Sequence, residues 1–201
     1  AARCHVAADG RRGATHGAAR RRAGVPGDPG TSAPRRSVRV AAHALARPEI
    51  ASALAVAQSF LRRYQYGLKI WDAYRPVQVQ AMLWEASHNS DYVANPAIGA
   101  GSLHTWGIAV DATLVDSRIR DVRMPTDFDD FTPAAMLPYM GSSLEVRRNL
   151  RLLRYAMHIA GFCGLRTEWW HFTILEWQKY VPPEKAKSAA QVLENNSEGG
   201  L

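Results

Sequence analysis

The apolar positions of the first globular stretch recur at helical spacing. The segment 47–67 therefore predicts a helix, with Pro48 in its first turn and Gly67 just past its end. Its predicted apolar face carries Ile50, Leu54, Ala57 and Leu61.

Two further helices follow from their start signals. Pro76 suits the first position of a helix, which places Arg75 at the N-cap. The segment 142–161 is the clearest helix, because Ser142 and Glu145 have the spacing of a capping box. Its predicted buried stripe consists of Leu150, Leu153 and Met157.

Three strands are predicted between and after these helices. The segments 68–74 and 107–116 alternate or are rich in β-branched residues, and 168–175 forms the last strand. Residues 117–142 contain three prolines and are predicted to be mostly irregular. The connections between the predicted helices and strands are not the regular, short ones of a doubly wound sheet. We therefore expect an α+β fold, with a small antiparallel sheet flanked by helices.

Charge divides the chain into a globular part and two tails. Residues 1–40 hold nine Arg and two Asp, the whole of the +7 net charge, so the remainder has 16 basic and 16 acidic residues. This first segment is a basic, low-complexity tail, either disordered or not native sequence. Residues 41–182 are predicted to be the functional domain, and residues 183–201 a polar C-terminal tail. We expect no nucleic-acid binding by the folded domain, because it has no excess positive charge.

Other classes of protein find little support in the sequence. No run approaches the roughly 18 apolar residues of a membrane span, and no signal peptide is visible. The two cysteines, Cys4 and Cys163, do not form the pattern of a disulfide framework, and Cys163 is expected to be buried. The compartment and the oligomeric state stay undecided.

Asp111 is a carboxylate within a strand that otherwise reads as buried. An isolated buried charge would cost several kcal/mol, so a cation is expected beside it, either an Arg or a metal ion. His104 lies seven residues earlier, and Gly107 allows the chain to turn back towards Asp111. The pair is half of a His₂Asp zinc site, although a loop histidine and a salt-bridged aspartate would show the same pattern.

The stretch TEWWHF, residues 167–172, supplies the remaining groups. His171 would complete three protein ligands, and one open position is typical of a catalytic zinc. Glu168 would take a proton from the water activated by that metal. In a regular strand these two side chains point to opposite faces, so Glu168 must precede the strand or lie in a bulge. Trp169 and Trp170 would exclude solvent, or simply fill the core.

Arg75 stands where the helix dipole disfavours a cation. It is expected either to pair with Asp72 or to stabilise the oxyanion that develops during hydrolysis. The remaining histidines, on predicted helices or near the N-terminal tail, are expected to be structural or solvated.

The segments WDAYRP, SLHTWGIAVD, MPTDFDDFT and EWWHF, in this order, resemble the D-alanyl-D-alanine dipeptidases of the vancomycin-resistance type, which are zinc peptidases. The resemblance covers about residues 45–180 and implies a bacterial protein, cytoplasmic or periplasmic. Pro125 stands where these enzymes usually have Gly, and residues 1–40 do not resemble their N-terminal region.

The resemblance also implies a role for each residue of the site. One zinc ion per chain would be held on the sheet by His104, Asp111 and His171. Glu168 would be the general base and Arg75 would stabilise the tetrahedral intermediate. The D-Ala-D-Ala substrate would contact two further residues, Ser102 and Asp129. The alternatives are a carboxypeptidase or endopeptidase acting on peptidoglycan stem peptides, a catalytically impaired zinc-binding relative, or a polyanion binder that uses the tail.

Overall fold

The computed structural model describes residues 44–90, 92–182 and 185. The predictions for residues 1–40 lie outside the described residues, as do those for the C-terminal tail apart from Lys185. Within the described part, no helix has the length and apolar character needed to cross a membrane.

Among the described residues, three α-helices account for most of the regular structure. They are α1 (Pro48–Arg62), α2 (Val77–Ser87) and α3 (Leu144–Ile159). Short 3-10 helices span Leu103–Trp106, Pro133–Ala135 and Trp177–Tyr180. The segment 117–142 is otherwise irregular, as predicted.

In the part of the chain that the structure describes, four strands form one sheet: β1 (Tyr66–Asp72), β2 (Ala109–Asp116), β3 (Phe162–Gly164) and β4 (His171–Ile174). Their order is β1-β2-β4-β3, and every neighbouring pair is antiparallel. The predicted α+β class with an antiparallel sheet is therefore confirmed.

One face of the sheet packs on helices. Helices α1 and α3 contact each other, α1 contacts β1, and α3 contacts β2 and β3. Because side chains alternate along a strand, Val110, Ala112 and Leu114 enter this core while Asp111 points to the opposite face. On that opposite face lies the candidate site.

Several predicted boundaries are wrong by one to four residues. Pro76, not Arg75, is the N-cap of α2, and Ser143, not Ser142, is the N-cap of α3. The Ser143 side chain accepts a hydrogen bond from the Val146 backbone N–H at 3.3 Å, so the predicted capping box is not formed. Gly67 does not end α1 but lies inside β1.

The sheet contains two features that the sequence pattern did not predict. The strand β3 has only three residues, too few for a recognisable alternation. In β1 the register shifts between Ile70 and Asp72, and this irregularity places Asp72 opposite Asp111. It thereby brings the end of β1 to the candidate site.

Candidate active site

Asp111 and His171 are directly opposite each other on the neighbouring strands β2 and β4. His171 Nδ1 lies 3.0 Å from Asp111 Oδ1. The strand β4 begins at His171 rather than at residue 168, so the predicted strand is shorter at its start. Cross-strand pairing on a sheet fixes both side chains on one face, which gives the site a rigid base.

His104 reaches the same point from the 3-10 helix that precedes β2. Gly107 has a φ of +67°, a left-handed conformation in which glycine carries no steric penalty, and it turns the chain into β2. His104 Nε2 lies 3.2 Å from His171 Nδ1 and 3.5 Å from Asp111 Oδ2. The predicted return of His104 to Asp111 is thus present in the structure.

Each imidazole has a partner for its outer nitrogen. His104 Nδ1–H donates to the Ala73 carbonyl at 2.9 Å, which leaves Nε2 facing the cluster. His171 Nε2 lies 3.2 Å from Thr173 Oγ1, and a hydrogen bond donated there leaves Nδ1 facing the cluster as an acceptor. Metal-binding histidines in proteins are held in this way by a second hydrogen bond.

The three facing groups have the spacing of a metal site. Ligands placed tetrahedrally at about 2.0–2.1 Å from zinc lie about 3.3–3.4 Å from one another. His104 Nε2 and His171 Nδ1 are 3.2 Å apart, and they lie 3.5 Å and 3.0 Å from the two different oxygens of Asp111, close to this spacing. The donor set consists of two imidazoles and one carboxylate, which suits a divalent metal ion. These three residues could therefore hold a metal ion together.

Burial makes the charges of this cluster strongly interdependent. Burial alone would raise the pKa of Asp111, but His104 and His171 hold that pKa well below its usual range. For His104, burial lowers the pKa, and the charge and hydrogen bond of Asp111 offset this, so the pKa is raised. Because Asp111 is only 3% exposed, its carboxylate depends on cationic partners, as the sequence indicated.

Glu168 stands at the turn that leads into β4. The His171 backbone N–H donates to the Glu168 carbonyl at 3.3 Å, which closes a turn through Trp169 and Trp170. Burial raises the pKa of Glu168 to about 7, with a further rise from the charges of Asp111 and Asp129. Glu168 therefore lies within electrostatic reach of the cluster and outside the strand, where the sequence argument required it.

Asp129 approaches from the irregular segment 117–142. Its backbone has a φ of +59°, and burial and the nearby Asp111 charge raise its pKa to about 6. The segment is tied to the turn that carries Glu168, since Trp169 Nε1–H donates to Thr126 Oγ1 at 2.9 Å. Phe128, next to Asp129, also stacks on Trp71 with ring centres 4.6 Å apart.

Arg75 pairs with Asp72, one of its two expected roles. Its Nε–H donates to Asp72 Oδ2 at 2.8 Å, and Nη1–H donates to Gln80 Oε1 at 2.8 Å. The charge of Arg75 nevertheless lowers the pKa values of Glu168 and Asp129, so it also acts on the site. Its backbone N–H donates to the His104 carbonyl at 3.1 Å.

Ser102 is buried immediately before the 3-10 helix that carries His104. Its backbone carbonyl accepts hydrogen bonds from the Thr105 backbone N–H at 3.1 Å and from Thr105 Oγ1 at 2.6 Å. These contacts fix the turn into His104. Both predicted substrate contacts, Ser102 and Asp129, stay predictions.

Four supporting groups were missed by the sequence argument: the Ala73 carbonyl and the side chains of Gln80, Thr126 and Thr173. A signal existed for only one of them. Thr173 stands two residues after His171 and so shares its face of β4, whereas the other three contacts depend on how loops and helices meet.

The comparison with protein families identifies one match over most of the chain. A family model described as "D-ala-D-ala dipeptidase" (Peptidase M15) matches residues 33–185. Among curated proteins, the D-alanyl-D-alanine dipeptidase of Escherichia coli (strain K12) is 34% identical over 139 residues, 69% of this chain and 71% of that protein. The D-alanyl-D-alanine dipeptidase of Enterococcus faecalis (strain ATCC 700802 / V583) is 28% identical over 144 residues, covering 63% and 71%.

Solved structures give more distant matches. VanYB in complex with D-alanine-D-alanine has a TM-score of 0.44 at 16% identity, covering 79% of this chain and 88% of that one. The vancomycin-resistance D,D-dipeptidase VanXYg, in complex with a D-Ala-D-Ala phosphinate analogue, also has a TM-score of 0.44 at 19% identity, covering 76% and 60%.

Proposed function

This chain belongs to the D-Ala-D-Ala dipeptidase family of peptidases, and we propose that it hydrolyses the D-Ala-D-Ala dipeptide with the help of one zinc ion. The observation that carries the proposal is the convergence of His104, Asp111 and His171 on one point, with the outer nitrogen of each imidazole already bonded. Such a cluster is costly without a cation and matches the ligand set of catalytic zinc.

The three residues would hold the metal with two neutral imidazoles and one carboxylate. A zinc ion bound there would lower the pKa of a water molecule and polarise the scissile carbonyl. The low pKa of Asp111 keeps this ligand ionised over the whole physiological range of pH. The Ala73 carbonyl and Thr173 would fix the imidazole orientations, so little reorganisation is needed on binding.

Glu168 would be the general base. A base works best when its pKa lies near the working pH, and burial brings the pKa of Glu168 from 4.5 to about 7 in the ligand-free site. Its carboxylate would accept a proton from the attacking water and then pass it to the leaving amine. The turn through Trp169 and Trp170 would hold the carboxylate beside the scissile bond rather than among the metal ligands.

Arg75 would stabilise the negative oxygen of the tetrahedral intermediate. Three of its five N–H groups are bonded to Asp72 and Gln80, which leaves two to reach a substrate oxygen. Loss of one such donor costs about 2.7–4 kcal/mol of transition-state stabilisation in other hydrolases. Pairing with Asp72 is compatible with this role, because it anchors one edge of the guanidinium.

Asp129 would bind the ammonium group of the dipeptide. Its pKa is raised to about 6 by burial and by Asp111, so the ligand-free site is short of positive charge at this position. A substrate ammonium would supply that charge and keep Asp129 ionised. Ser102, buried next to His104, would contact the peptide. A free amine at this end would distinguish a dipeptidase from an enzyme for longer stem peptides.

Release of free D-alanine from D-Ala-D-Ala tests the proposal. We expect turnover with added zinc, loss of turnover with a chelator, and recovery when zinc is restored. N-acetyl-D-Ala-D-Ala, which lacks the ammonium, should be a much poorer substrate for the natural chain. Asp129→Asn should lose most of that discrimination, because it removes the partner of the ammonium.

Two results would contradict the proposal. Turnover that is insensitive to chelation would exclude the metal. Equal or faster cleavage of the N-acetylated peptide or of a stem pentapeptide would favour the alternative, a carboxypeptidase acting on peptidoglycan.

A further inference from the structure

The helix α2 is largely exposed, with Ala81 and Trp84 half-buried and one polar residue fully buried. Gln80 is its only buried residue, with an exposed fraction of 0%. A buried amide without partners would cost free energy, so its contacts indicate why it is there. Apolar side chains of the same helix, such as Val77 and Met82, are left in solvent while this glutamine is enclosed.

Both ends of the Gln80 amide are used. Its Oε1 accepts a hydrogen bond from Arg75 Nη1 at 2.8 Å. Its Nε2–H donates to the Ala94 carbonyl at 2.7 Å. The second bond fixes the orientation of the amide, so that the oxygen, and not the nitrogen, faces the guanidinium. Gln80 therefore links Arg75 to the chain segment that leads towards Ser102 and His104.

Asp72 alone does not fix the guanidinium plane. Arg75 Nε and Nη2 both donate to the same oxygen, Asp72 Oδ2, so the group could pivot about that atom. The bond from Nη1 to Gln80 holds the opposite side. A planar guanidinium held at two separated points has its remaining N–H groups aimed in a defined direction.

We propose that Gln80 is a positioning residue that aims the free N–H groups of Arg75 at the oxyanion of the tetrahedral intermediate. This inference rests on the proposed role of Arg75. Stabilisation of an oxyanion depends on donors that are preorganised in the site before the charge develops, so a guanidinium free to pivot would give less of it. Gln80 itself would act only through Arg75, without touching the metal ligands or the substrate.

The competing explanation is that Gln80 only stabilises the fold. Its bond to Ala94 joins α2 to the following loop, and any disruption there could lower activity indirectly. The two explanations differ in one respect. A positioning residue has no further effect once Arg75 is removed, whereas a structural residue lowers activity equally with and without Arg75.

A double-mutant cycle with Gln80→Met and Arg75→Ala separates them. Met has a similar length and no acceptor for the guanidinium. We expect Gln80→Met to lower kcat about 10- to 100-fold with KM nearly unchanged, the range for a lost hydrogen bond to a charged group. In the Arg75→Ala background the same substitution should change kcat less than about twofold, because coupled sites are not additive. Gln78→Met, on the exposed side of the same helix, is the matched control and should leave kcat unchanged.

A phosphinate analogue of D-Ala-D-Ala gives a second readout. Its tetrahedral centre mimics the intermediate, so Gln80→Met should weaken its binding by the same factor as kcat/KM. Gln80→Glu is the second variant, and it is compared with Arg75→Ala so that the test does not depend on the folding of Gln80→Met. Its carboxyl group keeps an oxygen that accepts from Arg75 Nη1, so its kcat should stay well above that of Arg75→Ala.

The possible outcomes distinguish a failure of the proposed role of Arg75 from a failure of the proposed role of Gln80. A normal rate for Arg75→Ala would remove Arg75 from the mechanism and with it the basis of this inference. If Arg75→Ala is slow and Gln80→Met is as fast as the natural chain, or equally harmful in both backgrounds, Gln80 is not a positioning residue. A kcat for Gln80→Glu as low as that of Arg75→Ala would overturn it as well.

Discussion

The zinc-free protein should lose stability as the pH rises through the titration range of Glu168. Burial raises the pKa of this carboxyl from 4.5 to about 7, so the folded chain binds the proton more tightly than the unfolded chain. The group then favours folding most below about pH 4.5, and this contribution is lost progressively up to about pH 7. The perturbation to test is Glu168→Gln, which keeps the shape and cannot ionise.

The magnitude follows from the two pKa values. Each pH unit between 4.5 and about 7 corresponds to about 1.4 kcal/mol, which gives an upper value of about 3 kcal/mol. The side chain keeps some exposure to solvent, so we expect about 2–3 kcal/mol. At pH 8 Glu168→Gln should be more stable than the natural chain by that amount, relative to the difference between them at pH 4.5.

Urea unfolding of both proteins in the presence of a chelator, at several pH values from 4.5 to 8, measures the difference directly. Other groups that titrate in both chains, including Asp129, cancel to first order in the comparison. A difference in unfolding free energy that stays constant across this pH range would refute the reasoning, because it would mean that Glu168 ionises normally in the folded protein.

The remaining predictions concern the metal, the base and the loop. Glu168→Ala should keep one zinc per chain but lower kcat about 10²- to 10⁴-fold, and normal turnover would remove Glu168 from the mechanism. His171→Ala should not retain zinc in a metal analysis, while Thr173→Val should weaken zinc binding about 10- to 100-fold by removing the partner of His171 Nε2; unchanged affinities would contradict both assignments. Trp169→Phe keeps an aromatic ring, though a smaller one, and loses the bond to Thr126, so it should raise KM about 2- to 10-fold with little change in kcat. Thr126→Val, which removes the same bond and leaves the indole in place, should reproduce this effect. A fall in kcat alone would argue against the loop as a substrate contact.

The sequence predicted the helices best where an apolar stripe and a start signal coincide. Within α3, Leu150, Leu153 and Met157 are buried as predicted. The exact caps were not predictable, because Ser142 and Ser143 are equally good candidates and the packing of α3 decides between them. In the same way, Gln65 and not Gly67 adopts the left-handed conformation after α1, since Gly67 is needed in β1, where a Cβ would come within 3.1 Å of Val115.

The prediction of strands from the sequence is limited in a different way. The strand β2 was predictable because seven of its eight residues are buried, which requires a continuous run of apolar or small side chains. The strand β3 carries too few residues for a pattern, and pairing with β4 defines it, whereas β4 lies within the predicted strand 168–175. The start of β4 at His171 depends on the turn through Trp169 and Trp170, a tertiary feature that local spacing does not encode.

The candidate site was recognisable from the sequence because its residues violate the local pattern in which they stand. Asp111 interrupts a buried strand, and Arg75 stands at an unfavourable helix start; the structure gives each of them partners that resolve the conflict. Gln80 violates its pattern too, since it is the enclosed residue of a largely exposed helix, yet that violation exists only in three dimensions. A glutamine in a helical sequence is unremarkable by itself, so a supporting residue of this kind becomes visible only when burial is known. Residues that bind a ligand or react can therefore be identified from the sequence. Residues that position them can be identified only from the three-dimensional structure.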